Sequence, residues 1–314
     1  MKIVVTGALG HIGSRLIREL PLFFNGAEIV MIDNLMTQRY SSLFNLPGIG
    51  EYRFIEGDLL NIDLESVFQN AKVVIQLAAI TDAASSFENK EKVEHNNYNT
   101  TVKVAEACGA AGCNMIHLSS TSVYGTMKEI VDENCSDEDL CPQSPYADTK
   151  LKEEKYLEQM GLTGKLRFIS FRFGTICGIS PGMRFHTAIN KFCWQAVMGQ
   201  PITVWKTALH QKRPYLDLND AVAAMKFVIE RDLFDNRIYN VLTENLTVHA
   251  ILNAIQKQIP KYDIKYVDAA IMNQLSYNVS TTRFKNLGFE FKGNIEQRIS
   301  ETVDLLKGAS FNKK

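Results

Sequence analysis

The stretch Lys2-Ile3-Val4-Val5-Thr6-Gly7-Ala8-Leu9-Gly10-His11-Ile12-Gly13 decides the reading of this chain. A short β-branched run reaches Thr6, turns at Gly7, and gives way to a helical pattern from His11 to Leu20 that Pro21 is expected to end. Strand, tight turn and helix in that order bring backbone N–H groups and a helix N-terminus to one point. Glycines let the main chain approach a diphosphate, and the helix terminus favours its negative charge. The glycines Gly7, Gly10 and Gly13 recur every third residue, unlike the commoner G-x-G-x-x-G spacing. A plain tight turn needing small residues is the competing explanation.

Outward from that loop, apolar runs at Lys2–Val5, Glu28–Ile32, Arg53–Ile55, Val73–Leu77, Asn114–Leu118 and Leu166–Arg172 alternate with helical stretches, the longest from Lys90 to Ala111. Strands alternating with helices predict an α/β fold, a Rossmann-type doubly wound parallel sheet. After Gly174 the texture breaks into shorter pieces around Gly178, Pro181, Gly182, Gly199 and Pro201, with helices expected near 185–198, 218–230, 247–258 and 295–306. The expected division is a dinucleotide-binding unit over 1–174 and a smaller C-terminal α/β substrate lobe over 175–314, part of which returns to the first.

With 314 residues, a net charge of −1 and no basic stripe, the chain offers nucleic acid little to bind. No apolar run approaches a membrane span, and the first strand meets Thr6-Gly7 too early for a secretory leader, so a cytoplasmic, membrane-free protein is expected. Six cysteines lack paired metal spacing, and reduced thiols with no metal are the expectation.

Two Tyr-x-x-x-Lys pairs occur, Tyr124/Lys128 and Tyr146/Lys150. Tyr124 follows the run Met115-Ile116-His117-Leu118 and precedes Gly125, the end of a strand. Tyr146 follows Ser144-Pro145, a helix start, so Tyr146 and Lys150 share one helix face. With Ser119-Ser120-Thr121-Ser122 at a strand end, a hydroxyl, a phenol and an amine can surround one alcohol carbon, which points to hydride chemistry on a bound dinucleotide. Asp33, closing the second strand, is placed to accept hydrogen bonds from an adenosine ribose and to repel a 2′-phosphate, favouring NAD over NADP. Arg39 nearby counts against that preference. Asp58 either reaches an adenine edge or closes a turn.

Taken jointly, Thr6–Gly13, Asp33-Asn34-Leu35, Asp58-Leu59, Leu77-Ala78-Ala79, Asn96-Asn97-Tyr98-Asn99-Thr100, Ser119–Gly125, Tyr146–Lys150 and Gln211–Asp220 resemble the extended short-chain dehydrogenase/reductases, specifically the nucleotide-sugar epimerase/dehydratase family, over nearly the whole chain. The resemblance implies NAD as cofactor and a nucleotide-sugar as substrate. It makes Tyr146 the acid/base, with Lys150 and the cofactor's nicotinamide lowering its pKa, and Ser120 a partner of the same sugar hydroxyl. It places the cofactor on Gly7, Gly10, His11, Ile12, Asp33, Asn34, Asp58, Leu59, Leu77, Ala78, Ala79, Asn99, Tyr146 and Lys150, and the substrate on Thr121, Arg184 and Arg213. For Asn99 a plain helical role is the alternative, and for Arg184 a loop salt bridge. A homodimer through the Tyr146 helix and the long helix before it is also implied. On that view Lys103, Glu106, Lys152 and Glu153 face solvent or the partner, and His117 is a sheet residue.

Three departures narrow the chemistry. Thr121 and Ser122 stand where related dehydratases carry acidic residues, Phe173-Gly174-Thr175 lacks the usual Asn, and Met272–Tyr277 lacks an Arg. The expectation is 4-epimerisation through a keto intermediate. Alternatives are a net dehydrogenase, since Gly178–Arg184 resembles enzymes oxidising a GDP-activated heptose, a dehydratase with unusual acid/base groups, and a non-catalytic NAD sensor.

Overall fold

Continuous apolar runs, buried on both faces, build the main sheet. In the computed structural model, which describes residues 1–81, 85–125, 128–268 and 276–309, the first half of the chain forms β1 (Lys2–Thr6), α1 (His11–Phe23), β2 (Glu28–Asp33), β3 (Glu51–Glu56), α2 (Leu64–Phe68), β4 (Ala71–Gln76), α3 (Lys90–Ala111), β5 (Asn114–Ser120), β6 (Ile130–Val131) and α4 (Pro145–Leu162). The rest forms β7 (Phe168–Phe173), β8 (Thr175–Cys177), α5 (Ala188–Val197), β9 (Ile202–Trp205), β10 (Lys212–Asp217), α6 (Leu218–Arg231), β11 (Arg237–Val241), β12 (Glu244–Thr247), α7 (Val248–Gln258), β13 (Ile264–Val267), β14 (Asn278–Val279), α8 (Thr282–Lys285) and α9 (Ile295–Leu306).

Seven parallel strands pair in the order β11-β7-β5-β4-β1-β2-β3. Successive side chains of a strand point to opposite faces. Ile3, Val5, Ile29, Met31, Val73 and Ile75 therefore join Leu16, Ile17 and Leu20 of α1 and Val222 and Met225 of α6 in one core. Val4, Val30, Ile32, Val74 and Met115 join Val104 and Cys108 of α3 and Leu157 and Met160 of α4 on the other face. The sheet is doubly wound, as the alternation predicts. Strand order reverses between β1 and β4, and a crevice opens beyond the strand ends at such a reversal.

Two elements differ from the sequence reading. Helix α1 runs through Pro21 to Phe23, closed by Phe24 N–H on the Leu20 carbonyl at 2.8 Å. Proline in the last turn deletes one backbone donor without ending the helix. Strand β11 was not expected from the sequence. Its five residues follow α6 closely, and only pairing with β7 makes them the sheet's edge.

The remaining strands form a three-stranded sheet, β12-β10-β8, and the pairs β13-β9 and β14-β6. Helices α5, α7 and α9 enclose a second core of Ile189, Phe192, Ile202, Ile251, Ile255, Ile299 and Val303. Asp217 and Asp220 join this region to the first. Asp217 accepts from the N–H groups of Asn219 at 2.9 Å and Asn294 at 3.0 Å, while Asp220 accepts from Lys292 and Gly293 N–H and from the Thr243 hydroxyl.

The segment after β8 lies directly on the N-terminal glycine loop. Ser180 Oγ donates to the His11 carbonyl at 2.8 Å, and Gly182 N–H donates to Ser14 Oγ at 2.9 Å. A Cβ on Gly182 would sit 2.2 Å from the Leu9 carbonyl oxygen and 2.6 Å from that of Gly10. Gly182→Ala is expected to destabilise the protein by roughly 1–3 kcal/mol, the usual cost of forcing extra volume into a packed site. Urea unfolding measures it, and an unchanged midpoint would mean this segment stands off the loop.

Candidate functional site

A cavity of about 660 Å³ opens beyond the C-terminal ends of the central strands, at the reversal of strand order. Its floor is the glycine loop. Gly7 has φ +58°, and a Cβ there would lie 2.7 Å from the Ala78 backbone nitrogen, so only glycine lets β1's exit pass the segment after β4. Thr6 Oγ1 accepts from the N–H groups of Leu77 at 3.1 Å and Ala78 at 3.3 Å and donates to Gln76, locking the two strand ends together. Gly10, His11, Ile12, Leu77, Ala78 and Ala79 all line the cavity.

Asp33 ends β2 with each carboxylate oxygen held by a backbone N–H, Oδ2 by Leu9 at 3.0 Å and Oδ1 by Leu35 at 2.9 Å. Both oxygens keep further lone pairs towards the cavity they line. Asn34 Oδ1 takes Met36 N–H at 3.1 Å, and Asp58 Oδ1 takes Leu60 N–H at 2.9 Å. Asp58 thus closes its turn and lines the cavity beside the buried core residue Leu59. Burial lowers the pKa of Arg39, a lining residue whose charge Asp33 supports.

His11 is 4% exposed and joins the glycine loop to the second core's leading segment. Its Nε2 lies 2.7 Å from the Gly178 carbonyl, which only accepts, so Nε2 carries the proton. Burial, aided by the charges of Arg184 and Arg39 and opposed by the Gly178 bond, holds its pKa down at about 4.

At the other end of the cavity, Ser120 ends β5 and Tyr146 and Lys150 come from the first two turns of α4. Ser144 caps that helix, its Oγ accepting from Ala147 N–H at 3.2 Å, with Pro145 in the first turn. Ser120 Oγ accepts from Ser122 N–H at 3.1 Å and from Ser122 Oγ at 2.8 Å, leaving its own proton to donate into the cavity. Thr121 lines the cavity but donates its hydroxyl to the Phe173 carbonyl at 3.2 Å. Burial pushes the Tyr146 phenol up, with Lys150 and Arg184 pulling it down and Glu153 pushing it further up. Lys150 thus acts in the expected direction, and burial outweighs it.

The rival tyrosine is excluded by its environment. Tyr124 is fully buried away from the cavity, donating to Asn240 Oδ1 and accepting from Arg172 Nη1, each at 2.9 Å. Lys128 pairs with Asp139 instead. Arg172 makes a bidentate bond to Glu154 at 2.9 and 2.7 Å, which fastens α4 to β7.

Asn99 is absent from the cavity lining. The helical period presents Asn96 and Thr100, four residues apart, while buried Asn97 clamps Ile80 through both its N–H at 2.8 Å and its carbonyl at 2.9 Å. Arg184 and Arg213 both line the cavity: Arg184 donates to Thr81, and Arg213 bonds Gln211 at 3.0 Å and lies 5.7 Å over the Tyr277 ring. Residues 272–275 of the segment lacking an Arg fall outside the described residues. Lys191 and Trp205, not singled out from sequence, complete this end.

Glu153 is the clearest correction. It is buried rather than facing solvent, because α4 packs that side onto β5 and α3. Its Oε2 accepts from Lys150 Nζ at 2.8 Å, His117 Nε2 at 2.8 Å and Thr101 Oγ1 at 2.9 Å. Of its supposed surface companions, Lys152 pairs with Glu94, Glu106 accepts from Tyr156, and Lys103 binds the carbonyls of Leu60 and Ile62.

Residues 3–241 match the family model described as the NAD dependent epimerase/dehydratase family. The chain is 28% identical, over 96% of its length, to 46% of a trifunctional UDP-glucose 4,6-dehydratase/UDP-4-keto-6-deoxy-D-glucose 3,5-epimerase/UDP-4-keto-L-rhamnose-reductase of Arabidopsis thaliana, so it spans about half the length of that relative. It is 32% identical to a Bacillus subtilis protein named an uncharacterized UDP-glucose epimerase, covering 73% of this chain and 72% of that one. In structure it is similar to the UDP-glucuronic acid 4-epimerase of Bacillus cereus, solved with UDP-glucuronic acid and NAD, with a TM-score of 0.89, 24% identity, and coverage of 98% of this chain and 100% of that one.

His11 gives a test of the joint between the loop and the second core. An unfolded histidine titrates near 6.5, whereas His11 stays neutral to about 4, so below pH ~6.5 the unfolded chain binds the extra proton. The protein should lose stability as pH falls from about 6.5 to about 4, by up to about 3 kcal/mol from this group. Denaturant midpoints of His11→Gln should fall less steeply over that window, and parallel curves would contradict the assignment.

Proposed function

This chain belongs to the NAD dependent epimerase/dehydratase family, and from that premise we propose that it is an NAD-dependent 4-epimerase of a nucleotide-activated sugar. One observation carries the reading. Ser120, Tyr146 and Lys150 share a cavity with the glycine loop and Asp33, while the positions after Ser120 hold Thr121 and Ser122 instead of acids. The residues fit NAD: the backbone at Gly7, where a Cβ would collide, gives a diphosphate close access, and Asp33 offers its free lone pairs to a ribose diol while repelling a 2′-phosphate. Bound there, NAD supplies the acceptor of a hydride and its return donor.

The chain's own groups handle the proton. Tyr146 Oη takes it from the sugar hydroxyl as the carbon becomes a ketone, and returns it to that same oxygen when the carbon is reduced from its opposite face. Ser120 donates to the same oxygen, and Lys150 holds positive charge beside the developing phenolate. Thr121 and Ser122 have no group with a carboxylate's proton affinity, so expulsion of water lacks its acid and base. Arg184 and Arg213 bind the substrate's diphosphate, a task suited to guanidinium forks. Residues 1–174 with the returning α6 and β11 hold the dinucleotide, and the second core carries the sugar nucleotide. The cofactor role expected of Asn99 passes to Asn96 and Thr100 on the lining.

A homodimer through the outer faces of α3 and α4 belongs to the same reading. These helices pack side by side, and Tyr98 and Tyr156 meet edge-on at 6.2 Å between them. Light scattering should give twice the chain mass, and a monomer would remove this part. Among the described residues no helix is long and apolar enough to cross a membrane; a cytoplasmic location, which the free cysteines support, is part of the same proposal.

Incubation with UDP-, GDP-, CDP- and dTDP-sugars, with products read by NMR, tests the activity. The expected product has unchanged mass and inverted configuration, keeps a deuterium placed on the oxidised carbon, and accumulates no NADH. Tyr146→Phe should slow turnover by roughly 10²–10⁴-fold. A product lighter by one water would overturn the reading of Thr121-Ser122, and stoichiometric NADH with a keto-sugar would make the protein a dehydrogenase.

A further inference from the structure

Lys150 reaches the cavity through a helix whose far side is buried polar network. Its Nζ lies 2.8 Å from Glu153 Oε2, one turn along α4. Glu153 and His117 are both 0% exposed, and the same Oε2 takes His117 Nε2 at 2.8 Å and Thr101 Oγ1 at 2.9 Å. His117 Nδ1 faces Ser170 Oγ at 2.8 Å. Three elements, α3, α4 and β5, thus converge on one carboxylate, with β7 joined through His117.

We propose that Glu153 is a positioning residue for the reaction, its buried carboxylate fixing the Lys150 ammonium, in charge and direction, beside Tyr146. The proposal rests on the assignment of Tyr146 and Lys150 as the reacting pair. An ammonium has three N–H groups; one bonds Glu153, so two remain for the cavity that Lys150 lines. A lysine 5% exposed would shed its proton to escape desolvation, were no anion beside it. Here burial pulls Lys150 down and Glu153, with Tyr146 and Glu154 behind it, more than restores it, so its pKa lies above the ordinary lysine value. His117 fixes the direction of the carboxylate. Burial holds its pKa down despite Glu153, so the ring is neutral, donating from Nε2 and accepting from Ser170 at Nδ1. Such a partner, buried behind a functional group and touching no substrate, typically changes activity by about 10–100-fold when removed.

The charges facing Lys150 and Tyr146 set the sign of the pH effect. On α4 these are Glu153 and Glu154, the latter neutralised by Arg172 of β7; β5 contributes neutral His117, and the cavity side contributes Arg184. Removing the Glu153 charge lowers the pKa of both Lys150 and Tyr146, because the carboxylate raises each. The phenolate then forms at lower pH, and the ammonium is lost at lower pH.

Glu153→Gln tests this. The expected result is a kcat reduced about 10–100-fold with KM nearly unchanged and a pH profile moved as a whole to lower pH. NMR of the Lys150 Cε resonance in protein without nucleotide should show titration at lower pH than in the parent. Glu153→Asp keeps the charge and should keep the parent's pH profile, with a smaller loss of kcat. In a Lys150→Met background, Glu153→Gln should cost little further activity, since its effect runs through the lysine. Should Glu153→Gln fail to fold, the Glu153→Asp profile and the double variant still decide. A reduced kcat with an unmoved profile and unmoved Lys150 titration would leave Glu153 a structural residue only and overturn the proposal. Full turnover by Lys150→Met would instead remove the underlying assignment of the pair, a result distinguishable from the first.

Discussion

Close approach of three backbone segments at the glycine loop is the constraint from which the site follows. Residues 7–13 pass the segment after β4 at Gly7 and meet the segment after β8 at Gly182, and neither contact leaves room for a methyl group. Packing this tight fixes the ends of β1 and β4 relative to each other, with Thr6 bonding Leu77 and Ala78 across the gap. It also makes the floor of the cavity main chain rather than side chain. A floor of N–H groups and a helix terminus suits a diphosphate; a floor of side chains would stand the ligand off.

The second constraint is electrostatic and runs along α4. One side of this helix carries three buried charges, Lys150, Glu153 and Glu154. Buried charge is tolerated only in pairs with further hydrogen bonds. Glu154 meets the Arg172 fork, and Lys150 meets Glu153, which His117 and Thr101 also satisfy. The pairs lock α4 to β5, β7 and α3, and so hold Tyr146, one turn before Lys150, against the end of β5. Rigidity at Tyr146 and the pairing of these buried charges are one arrangement. The same arrangement withdraws Tyr124 from chemistry, because the Arg172 fork that serves Glu154 also holds the Tyr124 oxygen.

The outer region is tied to this frame by polar joints rather than a continuous core. Asp217 and Asp220 seize backbone donors of residues 292–294, and His11 and Ser180 link the glycine loop to the segment after β8. Each joint is a hydrogen bond to main chain, whose direction is fixed, so the wall bearing Arg184 is set relative to the floor bearing Gly7.

Local pattern in the sequence by itself determined the doubly wound sheet, the strand–turn–helix loop, the start of α4 and the shared helix face of Tyr146 and Lys150. Each depends on period or on near neighbours: apolar runs between helical stretches, glycine at a turn, Ser144-Pro145 at a helix start, a four-residue spacing on one face. What only the tertiary structure decided depends on contacts distant in sequence. Whether Glu153 faces solvent turns on β5 and α3 packing over it, which charge alone cannot reveal. Five residues become the edge strand β11 through pairing with β7, buried Pro21 is accommodated in the last turn of α1, and the helical register of α3 at the cavity brings Asn96 and Thr100 to the lining in place of Asn99. Burial raises the Tyr146 phenol against the pull of Lys150, because desolvation is a property of the assembled pocket, and no spacing of residues encodes it.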